Sequence, residues 1–144
     1  MFSKACEYGI RASIFIALNS FGGRRVSPKE LAAEIDSPQA FTAKILQALV
    51  RHDVIQSVKG AYGGFEIDKN RIKTIKLSDI VDAIDGDNIY KGCGLGLKAC
   101  DEDRPCPMHD KFKVVREELK TMLESTNLET LALDIKEGDT FLRR

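Results

Sequence analysis

Cys93, Cys100, Cys106 and His109 lie within seventeen residues, with six, five and two residues between them. Three soft thiolates and an imidazole are the donor set of a metal ion or an iron–sulfur cluster. The intervening chain carries Gly94, Gly96, Pro105 and Pro107. Such a segment folds around an inorganic core more readily than around a hydrophobic core of its own. Structural zinc sites draw ligand pairs from tight Cys-x-x-Cys knuckles, and here only Cys106 and His109 stand that close. The wider gaps suit a larger inorganic unit, an iron–sulfur cluster, with 2Fe-2S preferred over 4Fe-4S. Zinc and redox-active thiols are the alternatives. A nitrogen or oxygen ligand beside three thiolates tunes the cluster potential, which suits a sensor.

The elements that position this segment lie on either side of it. Upstream, Ile10, Ile14, Ala17 and Leu18 recur at helical spacing, which predicts a helix from Ser3 to Asn19 ended by Phe21, Gly22 and Gly23. Ser27, Pro28 and Glu30 form a three-part helix start: a capping hydroxyl, a proline where the missing N–H costs nothing, and a carboxylate that reaches back. That helix is predicted from Pro28 to Ile35, with Leu31 and Ile35 inward. Asp36, Ser37 and Pro38 repeat the signal before a third helix from Pro38 to His52, whose buried stripe is Phe41, Ile45, Leu46 and Leu49. Two short helices joined by a tight turn read as a helix-turn-helix. A strand from Val54 to Lys59, a Gly-rich turn from Gly60 to Gly64 and a return strand from Phe65 to Ile67 add a β-hairpin wing.

Ser78 is the predicted cap of a further helix that buries Ile80, Val81 and Ile84 and stops at Gly86. Downstream of the cysteines, Phe112, Val115, Leu119, Met122 and Leu123 form an apolar stripe over four turns. It is long for the core of one small subunit and reads as a dimerisation helix. A last short helix from Leu128 to Ile135 packs on the first helix or on the partner. The fold class expected is mostly α with a small β-hairpin: a winged helix-turn-helix plus a long dimerisation helix. Residues 1–86 form the DNA-binding domain, 87–108 the cysteine-rich loop, and 109–144 the dimerisation helix and C-terminal segment.

Composition bounds the class. The chain has 144 residues and is 43% hydrophobic, enough for one compact core. Residues 1–76 carry twelve Lys/Arg against seven Asp/Glu, a net of +5, and the remainder ten against fifteen, a net of −5. The basic half suits a polyanion. No apolar run is long enough for a bilayer and no signal-peptide pattern opens the chain, so a cytoplasmic protein with no membrane partner is expected. In that compartment clustered cysteines are more often ligands than disulfides. Cys6 reads as a small buried hydrophobe and His52 as a surface residue. No Ser-His-Asp pattern, Walker phosphate loop or paired catalytic carboxylates are present, so no enzyme is expected.

The capped helix-turn-helix, the wing Val58-Lys59-Gly60-Ala61-Tyr62-Gly63-Gly64-Phe65, the Leu77-Ser78-Asp79-Ile80 helix and the three spaced cysteines together resemble one family over almost the whole chain. These are the bacterial winged-helix regulators that include IscR, NsrR and CymR. The resemblance implies a homodimer on a palindromic double-stranded DNA operator, with the third helix in the major groove and the wing near the minor groove. It implies cluster ligation by Cys93, Cys100 and Cys106. The fourth ligand differs between branches: His109 matches the histidine of IscR-like proteins, and Glu7 matches the carboxylate that NsrR-like proteins supply from the partner subunit. The first gap, of six residues, is longer than in the well-known cluster-binding members. Gln39, Ala40, Thr42 and Ala43 stand at the start of the third helix and are expected at base edges: glutamine pairs with adenine and small residues meet a thymine methyl. Ala43 replaces the glutamate of IscR-like proteins. Ser27, Ser37, Lys44, Lys59 and Tyr62 are phosphate candidates, Lys59 foremost. The function expected is a DNA-binding transcription regulator, a repressor type, that senses redox, nitric oxide or iron–sulfur status. A zinc-bound or cofactor-free regulator of the same fold, or an iron–sulfur redox protein without DNA binding, is the alternative.

Overall fold

The computed structural model describes residues 1–143. Helix α1 runs Lys4–Ser20, α2 Pro28–Glu34 and α3 Gln39–Arg51. Strands β1 (Gln56–Val58) and β2 (Gly64–Glu66) pair antiparallel, with Ser57 opposite Phe65. One turn of helix, α4 (Lys69–Ile72), leads to α5 (Leu77–Asp85) and a second single turn, α6 (Asn88–Lys91). Helix α7 spans His109–Ser125 and α8 spans Leu128–Lys136. The fold is mostly helical with a small β-hairpin, a winged helix-turn-helix followed by a long helix.

Local chemistry accounts for the helix ends. Ser3 caps α1 by accepting from the Cys6 N–H at 3.0 Å. Ser27 caps α2 by accepting from the Glu30 N–H at 3.1 Å, with Pro28 in the first turn. The turn between α2 and α3 has no glycine; Asp36 supplies the left-handed backbone, at φ +51°, a conformation that aspartate tolerates better than most residues. Ser78 is not the cap of α5. That helix begins two residues earlier, after Lys76, and the Asp79 carboxylate accepts from the Lys76 N–H at 2.9 Å. Ser78 lies inside the helix and is buried.

The wing is shorter than the run of β-forming residues, three residues per strand. Val54 and Ile55 turn inward to the core instead. Val26, just before α2, extends the sheet through a reciprocal pair of backbone hydrogen bonds with Phe65, at 2.8 and 3.0 Å. Arg25 fastens this edge: its guanidinium donates to the Glu66 carboxylate at 3.0 Å and to the Tyr62 carbonyl at 3.2 Å. A Cβ on Gly63 would overlap the Val58 carbonyl, so the tip closes only with glycine there.

One core joins α1, α2, α3, α5 and α8, with Ile16, Leu31, Leu46, Leu49, Ile80 and Leu128 fully enclosed. Truncating such a side chain to alanine costs roughly 2–5 kcal/mol. Helix α8 therefore packs on α1 of its own chain, and the core crosses from the first residues to the last. A second, smaller cluster gathers Cys6, Val81 and Leu123, with Tyr90 and Leu119 against it. It joins α1, α5, α6 and α7.

The apolar stripe of α7 divides between two surfaces. Leu123 is buried, and Phe112 and Leu119 are half-buried. Val115 and Met122 point away, 57% and 45% exposed, with Val114 beside them at 55%. Among the described residues no helix is long and apolar enough to cross a membrane.

Candidate metal centre and nucleic-acid interface

The loop from Gly92 to Met108 lies along the first half of α7. Arg116 holds its start: the guanidinium donates to the Gly92 carbonyl at 2.5 Å. Gly94 sits flat on the Phe112 ring, where a Cβ would overlap the ring carbons. At the far end the His109 N–H donates to the Cys106 carbonyl at 3.0 Å, which starts α7 with the imidazole directed under the loop. His109 is buried.

The predicted ligands come together as two pairs. His109 Nδ1 lies 3.3 Å from Cys100 Sγ. Cys93 and Cys106 lie near one another, close enough for Cys106 to lower the Cys93 thiol pKa. Among the described residues no three Cys, His, Asp or Glu side chains converge on one metal-sized point. All four cysteines are free thiols. The Cys93 thiol is held below its ordinary pKa, first by the backbone N–H groups of Leu95 and Leu97, then by Cys106 and the Arg116 charge. These neighbours favour the thiolate of Cys93, the form that binds metal, over the thiol. Arg116 also donates to Cys100 Sγ at 3.1 Å, so it reaches toward both pairs. A cavity of about 450 Å³ opens beside Cys100 and His109, walled by Tyr90, Arg116 and Lys120.

The donor set fits an iron–sulfur cluster by its chemistry: three thiols, one buried imidazole, and N–H donors aimed at sulfur. A single tetrahedral zinc needs four donors on one point, which two separate pairs do not offer without rearrangement. Glu7 lies elsewhere on the chain's own surface, exposed near the start of α1 and paired with Lys4 at 3.1 Å.

Cys6 differs from the loop cysteines in every respect. It is fully buried, and its thiol is pushed up to about 12 by burial, by the charge of Asp85 and by a hydrogen bond to that carboxylate. Ser3 also bonds Asp85, through both its N–H and its hydroxyl. This ties the start of α1 to the end of α5.

The DNA candidates divide by exposure. Gln39, Ala40, Ala43 and Lys44 form an open face on the first two turns of α3. Thr42 does not belong to that face. It is 1% exposed, and its hydroxyl bonds Ser37 and donates to the Pro38 carbonyl at 3.0 Å. It fastens the turn into α3, and its burial keeps the side chain off the open face. Ser37 is half-buried with its hydroxyl engaged by Thr42. The Ser27 side chain accepts from α2 and keeps its own hydrogen for an outside acceptor. Lys59 is exposed on the wing and Tyr62 is 91% exposed at its tip. Arg25, which holds that tip, and Arg116 are the residues sequence reading missed. Their acceptors are distant in sequence, so no local spacing signals them.

Residues 2–134 match the Rrf2 family, whose description is iron-dependent transcriptional regulator. An HTH-type transcriptional regulator of Aquifex aeolicus is 31% identical over 143 residues, covering 98% of this chain and 96% of its own. BadM of Rhodopseudomonas palustris, another HTH-type transcriptional regulator, is 29% identical over 131 residues, covering 89% and 78%. Among solved structures, CymR, the global cysteine regulator of B. subtilis, superposes with a TM-score of 0.76 at 23% identity over 92% of this chain and 96% of that one. T. potens IscR gives 0.74 at 20% identity, over 98% and 92%. These two likenesses concern the fold, whereas the family match spans the winged helix-turn-helix, the cysteine loop and α7 together. The chain belongs to the Rrf2 family of transcriptional regulators and is not an enzyme.

Proposed function

We propose that this regulator acts as a homodimer on a double-stranded DNA operator and that its cysteine loop holds an iron–sulfur cluster whose state sets operator affinity. The carrying observation is the 3.3 Å contact of Cys100 Sγ with His109 Nδ1, supported by the nearness of Cys93 to Cys106 in the same loop. Two protein ligands on each of two irons is the requirement of a 2Fe-2S unit. His109 is the fourth ligand in this reading, because it already lies against Cys100, while Glu7 is engaged with Lys4. When bound, the cluster supplies chemistry that responds to oxidants, nitric oxide or iron supply.

The chain's own residues carry that response toward DNA. The loop rests on α7 through Phe112 and Arg116, and α7 packs on α1 and α5 through Leu119 and Leu123. The outward face of Val114, Val115 and Met122 suits a second copy, whose cytoplasmic dimer would present two α3 helices at a fixed spacing. Half-site spacing makes the angle between those helices matter, and each mismatched base pair costs about 1–3 kcal/mol. In this reading the exposed Gln39, Ala40 and Ala43 meet base edges, and Ser27, Lys44, Lys59 and Tyr62 meet phosphates, which their exposure supports.

The test is anaerobic purification of wild type beside a Cys100→Ala variant, with absorption spectra and iron and sulfide analysis. A brown wild type with iron and sulfide, and a colourless variant, support the reading. A colourless wild type carrying stoichiometric zinc overturns the cluster. Gel shift on the promoter of its own operon, with holo and apo protein, separates a DNA-binding sensor from an electron-transfer protein. Equal affinity of both forms sinks the sensing half.

A further inference from the structure

The geometry points to Arg116 as the residue that sets the reduction potential of the loop centre, by placing an unpaired positive charge and an N–H donor on Cys100 Sγ. This rests on the cluster reading above. Arg24, Arg25 and Arg104 each meet a carboxylate, while the half-buried Arg11 and Arg71 meet the Tyr8 ring and the Asp53 carbonyl, so what sets Arg116 apart is its aim at a sulfur. Among the described residues Arg116 forms no ion pair. Its acceptors are a neutral carbonyl, Gly92 at 2.5 Å, and a sulfur, Cys100 at 3.1 Å. With no carboxylate to neutralise it, the Arg116 charge stands against the Cys100 sulfur uncompensated.

The fork decides why arginine stands there. One guanidinium nitrogen fixes the loop backbone and another points at the sulfur, so the donor's aim is set by the first bond. Lysine offers a point charge on a flexible stem and cannot span both acceptors rigidly. Arg116 projects from α7, whose next inward side chains, Leu119 and Leu123, are packed into the small core. Its base is therefore anchored while the loop carries the ligands.

The consequence is electrostatic. When the site accepts one electron from a reductant, one negative charge is added to the sulfur-ligated unit. Arg116 lies against one ligand pair and acts by charge on the other. It stabilises the reduced state relative to the oxidised state, and hydrogen bonds to ligand sulfur act in the same direction. Removing it should favour the oxidised form by about tenfold, which is ~59 mV for a one-electron couple.

The test is a mediator titration of reconstituted wild type, Arg116→Met and Arg116→Lys, followed by visible absorption. The inference expects Arg116→Met to titrate at the lowest potential and Arg116→Lys between it and wild type. Variants that load the cluster and titrate with wild type overturn the role of Arg116 and leave the cluster reading intact. A wild type that takes up no cluster overturns both. Should Arg116→Met alone fail to load, Arg116→Lys decides: a lowered midpoint supports the inference and an unchanged one overturns it.

Discussion

Cysteine takes two opposite characters in this chain, and surroundings decide which. Cys93 is half-buried in the loop, under two backbone N–H donors and near Arg116, all of which favour the thiolate. Cys6 sits against Asp85 inside the core, where burial and negative charge favour the thiol, with its pKa near 12. A raised thiol pKa leaves almost no thiolate at neutral pH. Cys93, Cys100 and Cys106 are partly exposed and Cys6 is fully buried, so metal-free protein at pH 7.5 should be alkylated at the three loop cysteines, and at Cys6 only after denaturant is added. Mass spectrometry of peptides checks this, and rapid native labelling of Cys6 contradicts it. Thr42 gives a second residue-scale contrast. Thr42→Val removes one hydroxyl from the turn and should cost about 1 kcal/mol, without changing which operator bases are preferred. Gln39→Ala should change preference and leave the melting temperature near wild type. Chemical denaturation and a randomised-operator selection measure the two effects. The Ser27 cap of α2 and Pro28 in its first turn were legible from residue type and spacing, whereas the Glu30 carboxylate turns to Arg24 instead of reaching back to the cap. The inward turn of Thr42 was not legible, because only the folded turn shows that its hydroxyl donates to the Pro38 carbonyl and meets Ser37.

Elements here are fixed by single contacts at their ends. The wing is three residues on each side, too little pairing to hold its own shape. It is held from outside, by Val26 pairing with Phe65 and by Arg25 on Glu66 and Tyr62. Gly63 closes the tip against the Val58 carbonyl. Because that neighbour is backbone, Gly63→Ala must deform the hairpin and not merely turn a side chain aside. We expect overpacking of about 1–3 kcal/mol, delivered where Lys59 and Tyr62 face outward, so operator affinity should fall more than global stability. Fluorescence anisotropy on operator DNA beside a thermal melt tests this. Affinity equal to wild type would mean that the wing stands clear of the duplex. The hairpin was visible in sequence as two β-rich runs around glycines. Its true length was not, since Val54 and Ile55 read equally well as strand or as core, and tertiary burial took them.

At the scale of the molecule, charge and apolar surface are segregated. The first 76 residues carry a net of +5 and the rest −5, so the reading heads attract a polyanion while α7 and the loop do not. The sequence pattern also marked α7 as an amphipathic helix, but a stripe cannot say how many partners it serves. Only the packing of Leu123 into the intramolecular cluster, with Val115 and Met122 left outside, separates the two faces. That separation makes the dimer testable without unfolding the subunit. Val115→Glu with Met122→Glu adds charge to the exposed face alone, and Leu123 remains enclosed. Far-UV circular dichroism and the melting temperature of the subunit should stay near wild type, while sedimentation should report a monomer. A monomer engages one half-site, and losing the linked second contact weakens binding by roughly 10²–10⁴ in the general arithmetic of paired sites. The salt dependence should fall as well, because each lost phosphate contact removes about 0.9 from the slope of log affinity against log salt. A variant that stays dimeric, or a monomer that holds operator DNA with undiminished affinity and slope, would place the subunit contact on another surface.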